Sequence, residues 1–336
     1  MRMLWVLALS LFAGRVVAEP VLIRARIQNG TRQEPGSAEK VTLYKLEAGM
    51  QPIRELGPVT GQFELDELDV DPGLAYLVQV HANGVNYNEL VRFSENTHAD
   101  LQFTVYDVTA DWDDVAVSLV RVTMERRGDV LRAQTLYVVE NRSDPPRTLY
   151  DPGGTFRFRL LGALRELRAV TASSASGMPV PQPTVLTEDG STYSARTAFK
   201  PGSTEIVVSY DVDYANEEFI WRETSLHDIP TVVVLVSPSD VQVDVDAAWE
   251  KLDPGPSSRF LVLRRRSVKK GQVLEASFRG GTTRPPSNPA PMSSGGAPHG
   301  TVTPIPDPAA PRRAIVIVFM AAVLTYGLLA GLYSTD

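Results

Sequence analysis

Apolar and polar residues alternate over much of residues 19–279, and the alternation predicts strands. In 21–27 (VLIRARI) the apolar positions recur every second residue, and Asn29-Gly30 closes the run with a turn signal. Val41-Thr42-Leu43-Tyr44, Phe63-Glu64-Leu65, 76–80 (YLVQV), 90–93 and 101–105 follow at strand-and-turn spacing, so 19–106 reads as a small sandwich. Beyond 107, the runs 115–122, 135–139, 155–160, 205–212 and 231–236 predict a second, larger β-sandwich over 107–279. Within it, Leu161 to Leu167 suits one short helical turn, and Phe260 to Phe278 suits a final hairpin.

Two stretches break the alternation. Residues 314–333 (AIVIVFMAAVLTYGLLAGLY) are apolar without a charge, long enough as a helix to cross about 30 Å of hydrocarbon. Gly327 and Gly331 place small residues one turn apart on it, a pattern that suits self-association of the span as a weak homodimer. At the other end, Arg2, the short apolar run from Leu4 to Ala13 and the small Ala18 before Glu19 have the build of an export signal over 1–18. Cleavage there would leave the sandwiches outside the cytoplasm, with 334–336 as the inner tail. Arg312 and Arg313 on the outer side of the span run against the positive-inside tendency, which keeps a tail-anchored cytoplasmic arrangement as the alternative. Between sandwich and span, 280–313 is rich in Pro, Gly and Ser and reads as a linker.

The fold class expected is therefore all-β: two β-sandwich domains plus one C-terminal transmembrane helix. The chain contains no cysteine, which removes thiolate chemistry and disulfides and suits a bacterial cell envelope, in the periplasm or outside the cell. The formal net charge of −7 leaves no footprint for nucleic acid.

The pattern Ala38, Val41-Thr42-Leu43, then Thr60-Gly61-Gln62-Phe63-Glu64-Leu65 and Leu68, then 72–80 (PGLAYLVQV) and Gly84-Val85 resembles the carboxypeptidase regulatory-like domain. The resemblance covers roughly the first quarter of the chain. It implies a transthyretin-like sandwich that serves as an accessory module rather than a catalytic one. The Asp usual before the glycine is absent, and Pro58-Val59-Thr60 stands there.

Candidate chemistry is sparse. Asp107, Asp111, Asp113 and Asp114 are a candidate Ca²⁺ ligand set, though without the glycine and closing glutamate of an EF-hand loop; the alternative is a solvated turn between domains. Arg264, Arg265, Arg266, Lys269 and Lys270 form a candidate anion site for a glycan, headgroup or acidic protein. His81, His98, His227 and His299 show no zinc-ligand spacing. Ser37-Ala38-Glu39-Lys40 matches SxxK, but it lies in a loop entering a strand and lacks its partner motifs. Asn29-Gly30-Thr31 and Asn141-Arg142-Ser143 match the glycosylation sequon. The reading is a non-enzymatic single-pass envelope protein, without a cofactor, that presents modules to a protein or envelope glycan partner. The alternative is a hydrolase with a site dispersed over the second sandwich.

Overall fold

The computed structural model describes residues 21–282, except 48, 72, 94–96, 161–163, 175, 176, 178, 256 and 257. The expected signal, linker, span, tail and Gly327/Gly331 pair lie outside the described residues. Every regular element among the described residues is a strand, so the all-β expectation holds.

The first sandwich is built from two four-stranded sheets. In one, Val21–Asn29 is central, parallel to His98–Val105 and antiparallel to Gln62–Leu68. In the other, the order is Met50–Leu56, Lys40–Leu46, Ala75–Ala82, Val85–Arg92. Alternation does the sorting, because successive side chains leave a strand on opposite faces. Along Ala75–Ala82, Tyr76, Val78, Val80 and Ala82 are buried, while Ala75, Leu77, Gln79 and His81 face outward. Phe63 and Leu65 lie opposite Ala25 and Ile23, so both sheets deliver apolar rows to one core. Gly61, at φ 77°, supplies the left-handed turn that lets Gln62–Leu68 enter its sheet.

The second sandwich faces one large sheet with two small ones. The large sheet has eight strands, in the order Val180–Pro181, Leu164–Ser174, Gly202–Asp213, Val130–Asn141, Val115–Arg127, Ile229–Ser237, Leu261–Val268, Trp249–Leu252. One small sheet is Phe156–Arg159, Thr192–Ala195 and Thr184–Leu186; the other is Glu218–Thr224, Val273–Arg279 and Gln242–Val245. Valines 122, 208, 232 and 234 of the large sheet share a core with Phe156, Phe158, Trp221 and Phe278 of the small ones.

Two local expectations are corrected. Leu164 to Leu167 is strand, the start of an eleven-residue element paired with Gly202–Asp213. The stretch from Phe260 to Phe278 is not a hairpin. Leu261–Val268 joins the large sheet beside Ile229–Ser237, whereas Val273–Arg279 joins a small sheet beside Glu218–Thr224. Ser267, at φ 54°, and Gly271, at φ 83°, turn the chain across the sandwich instead of back along the same sheet.

The two cores fall within one compact unit, and a polar seam joins them. Val108–Thr109 runs parallel to Thr148–Leu149. The Asn141 side-chain amide donates to the carbonyls of Arg147 (2.7 Å) and Phe199 (2.8 Å), which fixes the 142–148 loop. That loop then reaches the first sandwich, where the Thr31 hydroxyl donates to the Pro146 carbonyl at 2.5 Å. The Tyr87 hydroxyl meets the fully buried Thr148 hydroxyl at 3.2 Å and accepts the Tyr106 N–H. Lys200 lies over the Tyr87 ring, 4.3 Å from its centroid, and donates to the Asn86 carbonyl at 2.8 Å. Burial at this seam pulls the Lys200 ammonium down to about 8.

Candidate functional site

The four aspartates at the boundary separate in space. Asp107 belongs to the seam: it accepts the Asn29 amide at 2.9 Å and the Arg32 guanidinium at 2.8 Å, and the bond from Arg32 holds its carboxyl below the usual range. Asp111, Asp113 and Asp114 instead line a small cleft with Asp144 and Arg147. Among the described residues no group of three or more acidic or imidazole side chains is gathered as a metal site. Both sequon asparagines are buried, Asn29 at 8% and Asn141 at 3% exposure, and their amides donate inward.

The basic cluster is likewise divided. Adjacent strand residues point to opposite faces. Arg265 turns inward over Trp249 and pairs with Asp246 at 3.0 Å. Arg264 and Arg266 turn outward and share Glu250, with Arg264 Nε 3.0 Å away; its bond is the main cause holding that carboxyl low. Lys269 and Lys270 remain exposed at the end of the strand. The five cations do not converge on one ligand position.

The histidines do not assemble either. His81 meets Asn86 (2.7 Å) and His98 meets Thr97 (3.0 Å). His227 stacks on Phe156 and bonds the Arg157 carbonyl at 2.9 Å, and burial lowers its pKa. His299 lies outside the described residues. In the SxxK match, Ser37 meets Thr60 and Lys40 pairs with Glu55, so serine and lysine are engaged elsewhere and lie on strands.

Three features are absent from the sequence reading above. The first is the seam. The second is Glu223, which points into the second sandwich beside Trp221 and accepts its indole N–H at 3.2 Å. Burial pushes its carboxyl up to about 7. Its inward position follows from the Phe219, Trp221, Glu223 alternation, a signal that was available; its titration was not.

The third is a notch in the large sheet. Val115–Arg127 and Ile229–Ser237 pair in parallel only from Val120 and Val232 onward. A register shift between Val117 and Leu119 marks a bulge in the first strand, and Pro230, the second residue of the other strand, has no N–H to give to a ladder there. The strands part below that point and leave a cleft of 430 Å³. Ala116 and Ser118 from one face of the sheet and Val117 from the other all line it, so the cleft cuts through the sheet plane. Ile229, Pro230 and Val268 add to its apolar lining; Asp114, Glu140, Asp228, Arg142 and Lys269 line it as well.

No family model and no curated protein matches this chain. Among solved structures it is similar to an M1 zinc metallopeptidase from Deinococcus radiodurans (12% identity, 49% of this chain and 42% of that one, TM-score 0.31). A two-domain M1 zinc metallopeptidase variant bound to L-arginine gives 12% identity, the same coverages and a TM-score of 0.30. Native leukotriene A4 hydrolase from Saccharomyces cerevisiae gives 8% identity, 50% of this chain, 30% of that one and a TM-score of 0.34. The match spans less than half the length of each of those proteins, and similarity at this level carries no argument about activity.

Proposed function

We propose that this is a single-pass envelope protein that displays a binding or assembly platform outside the cytoplasm and performs no catalysis. The observation that carries the reading is the seam. Bonds from Thr31, Tyr87 and Lys200 make two separately cored sandwiches one continuous support, and a support of that kind suits presentation of a surface. The apolar run at 314–333 and the linker at 280–313 supply anchor and reach. On this reading the first sandwich is the accessory module that its resemblance to the carboxypeptidase regulatory-like domain implies, and the partner is a protein or an envelope glycan.

The alternative, a hydrolase in the second sandwich, is favoured by one feature: burial pushes the Glu223 carboxyl up to about 7, where a general acid or base works best. Peptidase, esterase and glycosidase screens on the full-length protein in neutral detergent separate the two. The display reading expects no turnover. Turnover abolished by Glu223→Gln, or by another single Ser, His, Asp or Glu substitution in the second sandwich, would replace it with the hydrolase.

A further inference from the structure

The notch has the features of a strand acceptor. In an antiparallel ladder, every second residue turns its N–H and C=O away from its partner strand. Val115–Arg127 has such a partner, Val130–Asn141, on one side along its whole length. On the other side its pairing with Ile229–Ser237 begins at Val120, so the stretch 115–118 has no strand beside it there. The Val115 N–H already donates to the Trp112 carbonyl at 3.0 Å, so the open edge is 116–118, and an unpaired strand edge of this kind is a template for an added strand. The opposing wall does not compete for it, because Pro230 has no N–H to offer. The cleft volume of 430 Å³ lies within the range of about 300–1,000 Å³ usual for ligand clefts.

Charge selects the occupant. Asp114, Glu140 and Asp228 face Arg142 and Lys269 around the notch, three carboxylates to two cations. The adjoining small cleft shares Asp114 and adds Asp111, Asp113 and Asp144 against Arg147. Together that makes six carboxylates to three cations. None of these groups forms an ion pair among the described residues, whereas Asp107, Asp211, Asp246 and Glu250 elsewhere are each matched to an arginine. A lining that mixes a net anionic set with apolar side chains complements a chain that alternates cationic and apolar side chains.

We propose that the notch binds an extended cationic peptide segment of a partner protein, added as a strand along 116–118. The proposal rests on the display reading and names the partner's chemistry. Its geometry is consistent with strand addition: Ala116 and Ser118 on one face and Val117 on the other give an incoming chain side-chain contacts on both faces.

The test uses full-length protein in neutral detergent and an alternating Lys-Val peptide of about nine residues, the length of an ordinary strand. A Glu-Val peptide of equal length is the control. The Lys-Val peptide should bind and slow amide hydrogen exchange within 116–118 by about tenfold or more, while the Glu-Val peptide should not. Asp114→Lys with Glu140→Lys should weaken binding by about tenfold. Arg142→Glu with Lys269→Glu should tighten it several-fold, a gain that misfolding cannot produce. Absence of binding at about millimolar peptide, equal binding of the acidic peptide, or protection confined to other strands would each overturn the assignment. Peptide bound away from the notch would leave the display reading standing. A cytoplasmic location of the sandwiches would remove the display reading without touching the peptide result.

Discussion

Glu223 shows how one residue sets a property of the whole fold. Its carboxyl titrates near 7 in the folded chain and near the ordinary glutamate value when unfolded, so the folded state holds the proton more tightly. The stability it contributes is fully present below the unfolded pKa and is lost as pH rises to about 7. Glu223→Gln keeps an acceptor for the Trp221 indole and removes the titration. Denaturant melts should therefore show the variant more stable than the parent at pH 8 by on the order of 1–3 kcal/mol, with the gap closing near pH 4. A gap that does not change with pH would contradict the assignment. The alternation that buries Glu223 was legible in the sequence, since Phe219 and Trp221 precede it at the same parity. What strand pattern cannot carry is the shift of its pKa, which depends on what the facing sheet places around it.

At the scale of elements, strand parity was legible wherever one face is buried, as in Ala75–Ala82 and Ile229–Ser237. Pairing partners were less so. Leu261–Val268 and Val273–Arg279 are both plain strands, yet they enter different sheets, because the choice is made by distant partners and by the backbone turn between them. The basic residues are divided for the same reason. Arg264, Arg265 and Arg266 form a cluster in sequence, but parity splits them and Glu250 and Asp246 arrive from another strand and its approach. The seam depends on pairs far apart in the chain, such as Tyr87 with Lys200 and Thr148. Its strength is measurable by a double-mutant cycle of Lys200→Ala and Tyr87→Leu. The coupling should be about 0.5–2 kcal/mol, the range for a partly desolvated cation over an aromatic ring. Additive losses would mean that the ring and the ammonium do not hold the sandwiches together.

For the whole molecule, the all-β class was legible in the sequence, since hydrophobic parity and turn residues are local signals. The sequence did not show that the two cores share one continuous support, which rests on Thr31, Tyr87 and Lys200 reaching partners across the boundary. The functional account joins that support to the apolar stretches at the two ends of the sequence. Its central claim is location: the sandwiches stand outside the cytoplasm, held by the segment 314–333. The chain has no cysteine, so a single thiol introduced by Ser293→Cys is unique and reports which side of the membrane the linker occupies. In intact spheroplasts of a bacterial host expressing the full-length chain, that thiol should react with a membrane-impermeant maleimide to the same extent as after lysis. Protection until the membrane is broken would place the sandwiches in the cytoplasm and contradict the account.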